Sequence, residues 1–282
     1  MRELEGLIGV IEAGCTEAVS YPDLVIYAGQ SARRRGFLDG IFPDIPILSF
    51  SVDPEPQTSD MPVILEDKLI KGFRYLASLD GQVKTNKIAI VAADTRTIVP
   101  FMNNGLRMES LGKPKEEGEV VGVFEEMSQV GKSIGDDPYY EVSSISGAVS
   151  TESKQIFTSS DRTRITLHQD ALSYLKTTEG FQRYVDLFHS FYRSGAYERE
   201  GMPRQALTDL SAGLSLPVLI KLGAVKSIDG QNISNTENLR KAFFTVAVGV
   251  QPEVVKAFNP NVTNLLNDWE WLNQVISEIS NE

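Results

Sequence analysis

Two arginines and a serine that follow a short apolar run are the first residues in the chain whose types could bind a ligand. Residues 24–28 form the run, which predicts a strand buried on both faces, and Ser31, Arg33 and Arg34 follow it. In α/β proteins, ligands bind beyond the carboxyl ends of parallel strands, where a turn that opens a helix presents backbone N–H groups. The guanidinium fork of arginine matches the oxygens of a phosphate. The segment therefore predicts a phosphate site, and a solvated basic patch is the alternative.

Two carboxylates could supply the complementary chemistry, which is the binding of a divalent cation. Asp94 is the first charged residue after a second apolar run, residues 88–93, so we expect it at the carboxyl end of a strand. Glu55 lies close to Asp53 on a loop that prolines stiffen. A carboxylate at the carboxyl end of a strand commonly binds magnesium, but it serves as often as a turn or helix-capping residue, and both interpretations stay open for Asp94. For Glu55, a carboxylate that simply faces solvent is the alternative.

Lys113 is the remaining candidate, because it lies between glycine and proline on a segment predicted to be an exposed loop. Its ammonium group could pair with a phosphate, and a solvated lysine is the alternative. The motifs of other enzyme classes are absent: the sequence has no P-loop, no G-x-G-x-x-G, no H-E-x-x-H and no G-x-S-x-G. With only His168 and His189, a Ser-His-Asp triad or a histidine-rich metal site is disfavoured.

The elements that position these residues alternate between strands and helices through about residue 167, and helices dominate afterwards. Apolar runs and alternation predict strands over 24–28, 88–93, 140–150 and 162–167; helical spacing predicts helices over 4–20, 63–79, 119–130, 178–192 and 265–279; and polar composition predicts an exposed loop over 102–118. This pattern indicates an α/β core over 1–167. We expect residues 168–282 to form a mainly helical elaboration that packs on the core and completes the sheet near 214–230.

Composition limits the kinds of partner. The chain has 282 residues, of which 41% are hydrophobic, so it can bury a sizeable core. Its formal net charge of −11 argues against general binding to nucleic acid or to an anionic membrane, although a local basic pocket remains compatible. A single cysteine excludes an intrachain disulfide, no run reaches the ~18 apolar residues of a membrane span, and Glu12 interrupts any secretory segment. We therefore expect a soluble, cytoplasmic protein.

Six short motifs stand in a fixed order between residues 22 and 167. They are Tyr27-Ala28-Gly29-Gln30-Ser31-Ala32-Arg33-Arg34, the acidic loop at Asp53 and Glu55, Lys71-Gly72, Ala93-Asp94-Thr95, Lys113-Pro114, and Tyr140-Glu141-Val142 with Ser146-Gly147-Ala148-Val149. In this order they resemble the Maf family of nucleoside triphosphate pyrophosphatases, whose first motif reads Leu-Ala-Ser-x-Ser-Pro-Arg-Arg. The resemblance implies the family's inosine-triphosphatase-like fold, with a mixed central sheet and flanking helices.

The resemblance also implies a reaction and the residues that perform it. The reaction is the metal-dependent hydrolysis of a nucleoside triphosphate to the monophosphate and pyrophosphate. The residues that would bind the phosphates are Ser31, Arg33, Arg34, Lys71 and Lys113. Asp94 and Glu55 would bind magnesium or manganese, and one of the two would orient or deprotonate the attacking water. Family members often form dimers, which suggests a homodimer.

The chain also departs from the family pattern. Gly29 replaces the first serine of the motif, Ala32 replaces its proline, and the later Lys-Ala-Gly-Gly-Tyr-x-Ile-Gln stretch survives only as Ser211-Ala212-Gly213. These changes motivate a second hypothesis, a catalytically degenerate Maf-like protein that binds a nucleotide or phosphorylated metabolite without cleaving it. A third hypothesis, an interaction protein that uses the C-terminal helix, rests on Trp269 and Trp271.

Overall fold

The computed structural model describes residues 19–56, 58–102, 105–111, 117–193, 216–234 and 236–262, together with residues 273, 276, 277 and 279. The strands are β1 (Leu24–Ala28), β2 (Ile47–Phe50), β3 (Ile88–Met102), β4 (Leu106–Leu111), β5 (Tyr139–Ser150), β6 (Ile156–Leu167) and β7 (Val225–Ile228). The helices are α1 (Ala32–Ile41), α2 (Met61–Ser78), α3 (Glu117–Ile134), α4 (Gln169–Leu175), α5 (Thr178–Arg193), α6 (Leu216–Lys221), α7 (Thr236–Ala247) and α8 (Pro252–Lys256). None of the helices in these ranges is long and apolar enough to cross a membrane.

One mixed sheet holds these seven strands, in the order β2-β1-β3-β5-β6-β7 with β4 beside β3. β1 pairs in parallel with both β2 and β3, whereas β4 pairs antiparallel with β3, and β7 with β6. The side chains of Val25, Ile26 and Ile90 are fully buried, as expected of strands covered on both faces. The predicted α/β class is therefore confirmed at this level, as a mixed, open sheet with flanking helices.

Strand β3 is longer than predicted, and β4 lies where the sequence predicts a loop. β3 continues through Asp94 to Met102, so the prediction that the strand ends near residue 94 is wrong. The second half of β3 pairs antiparallel with β4, from Thr97↔Leu111 to Met102↔Leu106. The prediction of an exposed loop over 102–118 is wrong for residues 106–111. Polar side chains on an antiparallel pair can face solvent without disturbing the backbone pairing. The polar composition of this segment therefore did not reveal the strand.

Helix α2 covers the parallel strands with its apolar face. Leu65 and Leu69 belong to the same buried cluster as Ile26 and Ile90. A Cβ atom at Gly72 would lie 2.5 Å from Ile90 Cγ2, so the helix can approach β3 this closely only with glycine at that position. The close packing fixes the side chains of α2 that point towards the strands.

Most of the other predicted elements are confirmed. The structure has helices at 63–79, 119–130 and 178–192 and strands at 24–28, 140–150 and 162–167, with modest shifts of their bounds except at β6, which begins at Ile156 rather than at residue 162. Nearly all of the helix predicted over 4–20 lies outside the described residues, as does most of the one predicted over 265–279, including Trp269 and Trp271. The hypothesis that rests on those tryptophans stays a prediction.

The chain divides into two compact units, and neither is one continuous segment. The first unit comprises residues 1–94, 144–161 and 248–269, and the second comprises residues 95–143, 162–247 and 270–282. The boundary passes through β3, β5 and β6. The division after residue 167 that composition suggests stays a prediction. Ser31, Glu55, Lys71 and Asp94 all belong to the first unit.

Candidate functional site

The turn after β1 opens helix α1. Ser31 is the N-cap of α1, and its Oγ accepts a hydrogen bond from the backbone N–H of Arg34 at 3.4 Å. The first N–H groups of a helix have no partner within the helix, and the macrodipole makes this end partly positive. In the parallel register Ala28 lies opposite Ala92. The turn that follows Ala28 therefore lies beside the segment of β3 that leads to Asp94.

Arg34 is fixed by two backbone carbonyl groups. Its Nε donates to the carbonyl oxygen of Val248 at 2.6 Å, and its Nη1 donates to that of Ala93 at 3.1 Å. The guanidinium is planar, so bonds on two different nitrogens set both its position and the direction of its fork. Arg35, the next residue, is half-buried, and its Nε lies 3.5 Å from Asp39 Oδ1. Arg34 is thus directed to the same part of β3 as the predicted cation ligand Asp94.

Lys68 occupies the centre of the site, and the sequence motifs did not predict it. Its Nζ lies 3.0 Å from Glu55 Oε1 and 3.0 Å from Asp94 Oδ1, and it donates to the carbonyl oxygen of Ala93 at 3.2 Å. The residue is only 3% exposed. An ammonium group this deeply buried requires charged or polar partners. Lys68 therefore joins the two carboxylates that the sequence predicts as cation ligands.

The helical pattern of α2 does contain a signal for Lys68. Leu65, Leu69 and Gly72 are buried, and Lys68 lies on the same stripe, three residues after Leu65 and four before Gly72. A charged residue in the middle of an apolar stripe predicts a buried, paired group. This signal identifies Lys68, rather than Lys71, as the lysine of α2 that faces the strands.

Lys71, which the resemblance assigns to the phosphates, contacts the protein itself. Its Nζ pairs with Asp67 Oδ2 at 2.7 Å and donates to the carbonyl oxygens of Val52, at 2.7 Å, and of Pro54. These contacts connect α2 to the loop that carries Glu55. A role of Lys71 in phosphate binding stays a prediction.

Several predicted residues lie outside the described part of the chain. These are Lys113, the side chain of Arg33 and residues 211–213. Within the described part, no group of three or more His, Cys, Asp or Glu side chains could hold a metal ion. Glu55 and Asp94 form a pair, and magnesium commonly binds one or two carboxylates together with the phosphate oxygens of a substrate. A cation site at Glu55 and Asp94 stays a prediction.

The side chain of Tyr27 explains why glycine occupies position 29, at the start of the turn. A Cβ atom at Gly29 would lie 2.7 Å from the hydroxyl oxygen of Tyr27 and 2.8 Å from its Cζ. Tyr27 is fully buried, so the surrounding core holds its ring in place. A serine at position 29 therefore has no room, and the phenol of Tyr27 occupies the space of that side chain.

The hydroxyl of Tyr27 is buried without a hydrogen-bond partner, so its removal should change the stability of the fold. Such a group loses its hydrogen bonds to water on folding and gains none in return. We expect Tyr27→Phe to raise the free energy of unfolding by about 1 kcal/mol. Urea denaturation with an unchanged m-value measures this change. A clear loss of stability would show instead that the hydroxyl is bonded in solution.

The second unit contains another group of charged side chains, and these pair with one another. Arg164 donates through Nε and Nη2 to Glu141 Oε1 at 3.1 and 2.8 Å, and Arg162 Nη1 lies 3.1 Å from Oε2. The hydrogen bond to Glu141 raises the pKa of Arg164 above its ordinary value. Glu141 is buried, so the two arginines neutralise a carboxylate that water cannot solvate. This group has a structural role in joining β5 to β6.

No model of a known protein family matches the chain, and no curated protein matches it either. The resemblance to the Maf family therefore stays a prediction.

Proposed function

We propose that the chain hydrolyses a nucleoside triphosphate to the monophosphate and pyrophosphate, on a Maf-type, inosine-triphosphatase-like fold. One observation carries the proposal: Arg34 and Lys68 both donate to the carbonyl oxygen of Ala93, directly before Asp94. Two cations and a carboxylate therefore meet at one point of β3. The parallel register places this point beside the turn that opens α1. A helix N-terminus with adjacent cations suits a polyphosphate.

The cationic groups bind and orient the phosphates in this proposal. The N–H groups at the start of α1, Ser31 and Arg34 contact phosphate oxygens, with Arg33 and Lys113 as further proposed ligands. Holding the triphosphate in one orientation lowers the entropy cost of reaching the transition state. Lys68 stabilises the negative charge that develops on the phosphates as the bond breaks.

The two carboxylates supply the cation site and the water position. Glu55 and Asp94 would hold magnesium or manganese, which, when bound, neutralises phosphate charge and lowers the pKa of a bound water. One of the two carboxylates orients the water that attacks phosphorus. Lys68 keeps both carboxylates at the same point before the nucleotide binds, since its Nζ contacts both.

Pyrophosphate release from a panel of canonical and modified nucleoside triphosphates, with magnesium or manganese, tests this function. We expect release from one or a few members of the panel, and the preferred base is then that of the nucleotide from which pyrophosphate is released fastest. Orthophosphate as the only product would indicate cleavage at the terminal phosphate and contradict the proposal. A chain heated to unfolding before the assay is the control for contaminating activity.

A nucleotide-binding protein without hydrolytic activity is the second candidate. Tyr27 fills the space of the motif serine, and the Nζ of Lys68 already pairs with both carboxylates. Both observations are compatible with a site that holds phosphates and performs no chemistry. A triphosphate that raises the Tm without any release of pyrophosphate would support this candidate over the enzyme.

A further inference from the structure

The short segment between α7 and α8 contributes to the candidate site, although it lies outside residues 22–167, which carry the resemblance. The carbonyl oxygen of Val248 accepts the 2.6 Å hydrogen bond from Arg34 Nε. Val248 and Val250 are fully buried, and Gln251 is 4% exposed. The segment belongs to the first unit, as do Arg34 and Asp94. One of the two anchors of Arg34 therefore comes from a distant part of the chain.

Gln251 attaches this segment to strand β5. Its Nε2 donates to Ser144 Oγ at 2.5 Å, and its backbone N–H donates to Ser146 Oγ at 2.8 Å. Ser144 and Ser146 are two residues apart on a strand, so their side chains point to the same face. Both serines are buried. In such surroundings a lost hydrogen bond is not replaced by one to water, so each bond holds the segment strongly.

We propose that Gln251 is a positioning residue for Arg34. By fixing Val248 against β5, Gln251 fixes one of the two carbonyl groups that orient the guanidinium. Without that anchor, the guanidinium is held less firmly and reaches the ligand's oxygens in the right orientation less often. This inference rests on the proposed function, because it takes Arg34 as a phosphate ligand.

The test replaces Gln251 by methionine, which has a similar volume and no donor groups on its side chain. The first readout is the rate at which the Nε–H of Arg34 exchanges with solvent, followed by NMR and assigned by its loss in Arg34→Lys. We expect exchange at least about tenfold faster in Gln251→Met, because the bond to Val248 opens more often. Unchanged exchange would overturn the inference, whatever the protein catalyses.

Ser150→Ala is the matched control. Ser150 is a buried serine of the same strand, and its Oγ accepts a hydrogen bond from the backbone N–H of Ser153, remote from Arg34. We expect the control to lower the Tm and to leave the exchange rate of Arg34 unchanged. Equal acceleration in the control would mean that any loosening of β5 frees Arg34, and it would also overturn the inference. If Gln251→Met does not fold, Ser144→Ala removes only the acceptor and carries the same expectation.

The second readout is the kinetics of pyrophosphate release. We expect Gln251→Met to raise KM for the triphosphate by about tenfold, with a smaller change in kcat, because the phosphates bind to a less ordered guanidinium. A residue that only stabilises the fold would leave KM unchanged in the folded fraction. If the unaltered protein releases no pyrophosphate, the proposed function fails, and the exchange measurement still decides the role of Gln251.

Discussion

Lys68→Met reduces pyrophosphate release by at least about a hundredfold, whereas Lys71→Met changes it by less than about fivefold. This is the result that we expect, because the Nζ of Lys68 lies 3.0 Å from both predicted cation ligands. Lys71 contacts Asp67 and two backbone carbonyls of the adjoining loop. The two lysines lie one helical turn apart, so each variant controls for the loss of positive charge on α2. Steady-state kinetics with the best nucleotide of the panel measures the difference.

The same substitution also affects the fold. Lys68→Met removes the cation that Glu55 and Asp94 share, and we expect the free energy of unfolding to fall by about 2 kcal/mol. The loss stays below that of a fully buried pair because the Glu55 side chain is 35% exposed and can turn towards water. If Lys71→Met proves the more harmful to catalysis, the assignment from the sequence resemblance is right and the one from the geometry is wrong.

Asp94→Asn has the largest expected effect on the reaction. The substitution preserves the size of the side chain and removes its charge, so the pair that would hold magnesium or manganese loses one carboxylate. We expect pyrophosphate release to fall by at least about a thousandfold. The fold should survive, because the asparagine oxygen can still accept a hydrogen bond from Lys68. Pyrophosphate release, together with the Tm, separates the two effects.

Asp67→Asn is the matched control for Asp94→Asn. Asp67 is a carboxylate that also pairs with a lysine of α2, but its partner is Lys71. We expect this variant to retain most of the activity of the unaltered chain. A normal rate in Asp94→Asn would remove Asp94 from the site and, with it, the argument for the pyrophosphatase.

The apolar runs predicted the strands next to the candidate site. A strand that is buried on both faces favours apolar side chains at every position, so it is recognisable as an apolar run. Residues 24–28 and 88–93 are such runs, and both lie in the parallel part of the sheet. The second half of β3 escaped prediction because the apolar run ends at Ala93 and polar residues follow it. Antiparallel pairing with β4, the next strand along the chain, extends β3 beyond them.

The chemistry of the site was harder to predict than its elements. The family resemblance implied that Asp94 and Glu55 act as a pair, and in the structure both contact the Nζ of Lys68. Lys68 was missed because the motif placed the lysine of this helix at Lys71, and only the apolar stripe of α2 distinguishes the two. Position 29 requires glycine because of the orientation of the Tyr27 ring, and the spacing of residues in the sequence does not predict the orientation of a ring.

The bond between Arg34 and Val248 joins residues that are 214 positions apart. A chain emerging from the ribosome therefore carries Arg34 long before its second anchor exists, and β1, α1 and α2 can form well before then. Contacts at such separation are closed late, because a long loop must be ordered first. Newly made chains that lack residue 248 should hold the carboxylates and Lys68 without a fixed guanidinium. The guanidinium of Arg34 thus gains its anchor at Val248 only after the segment between α7 and α8 has been made.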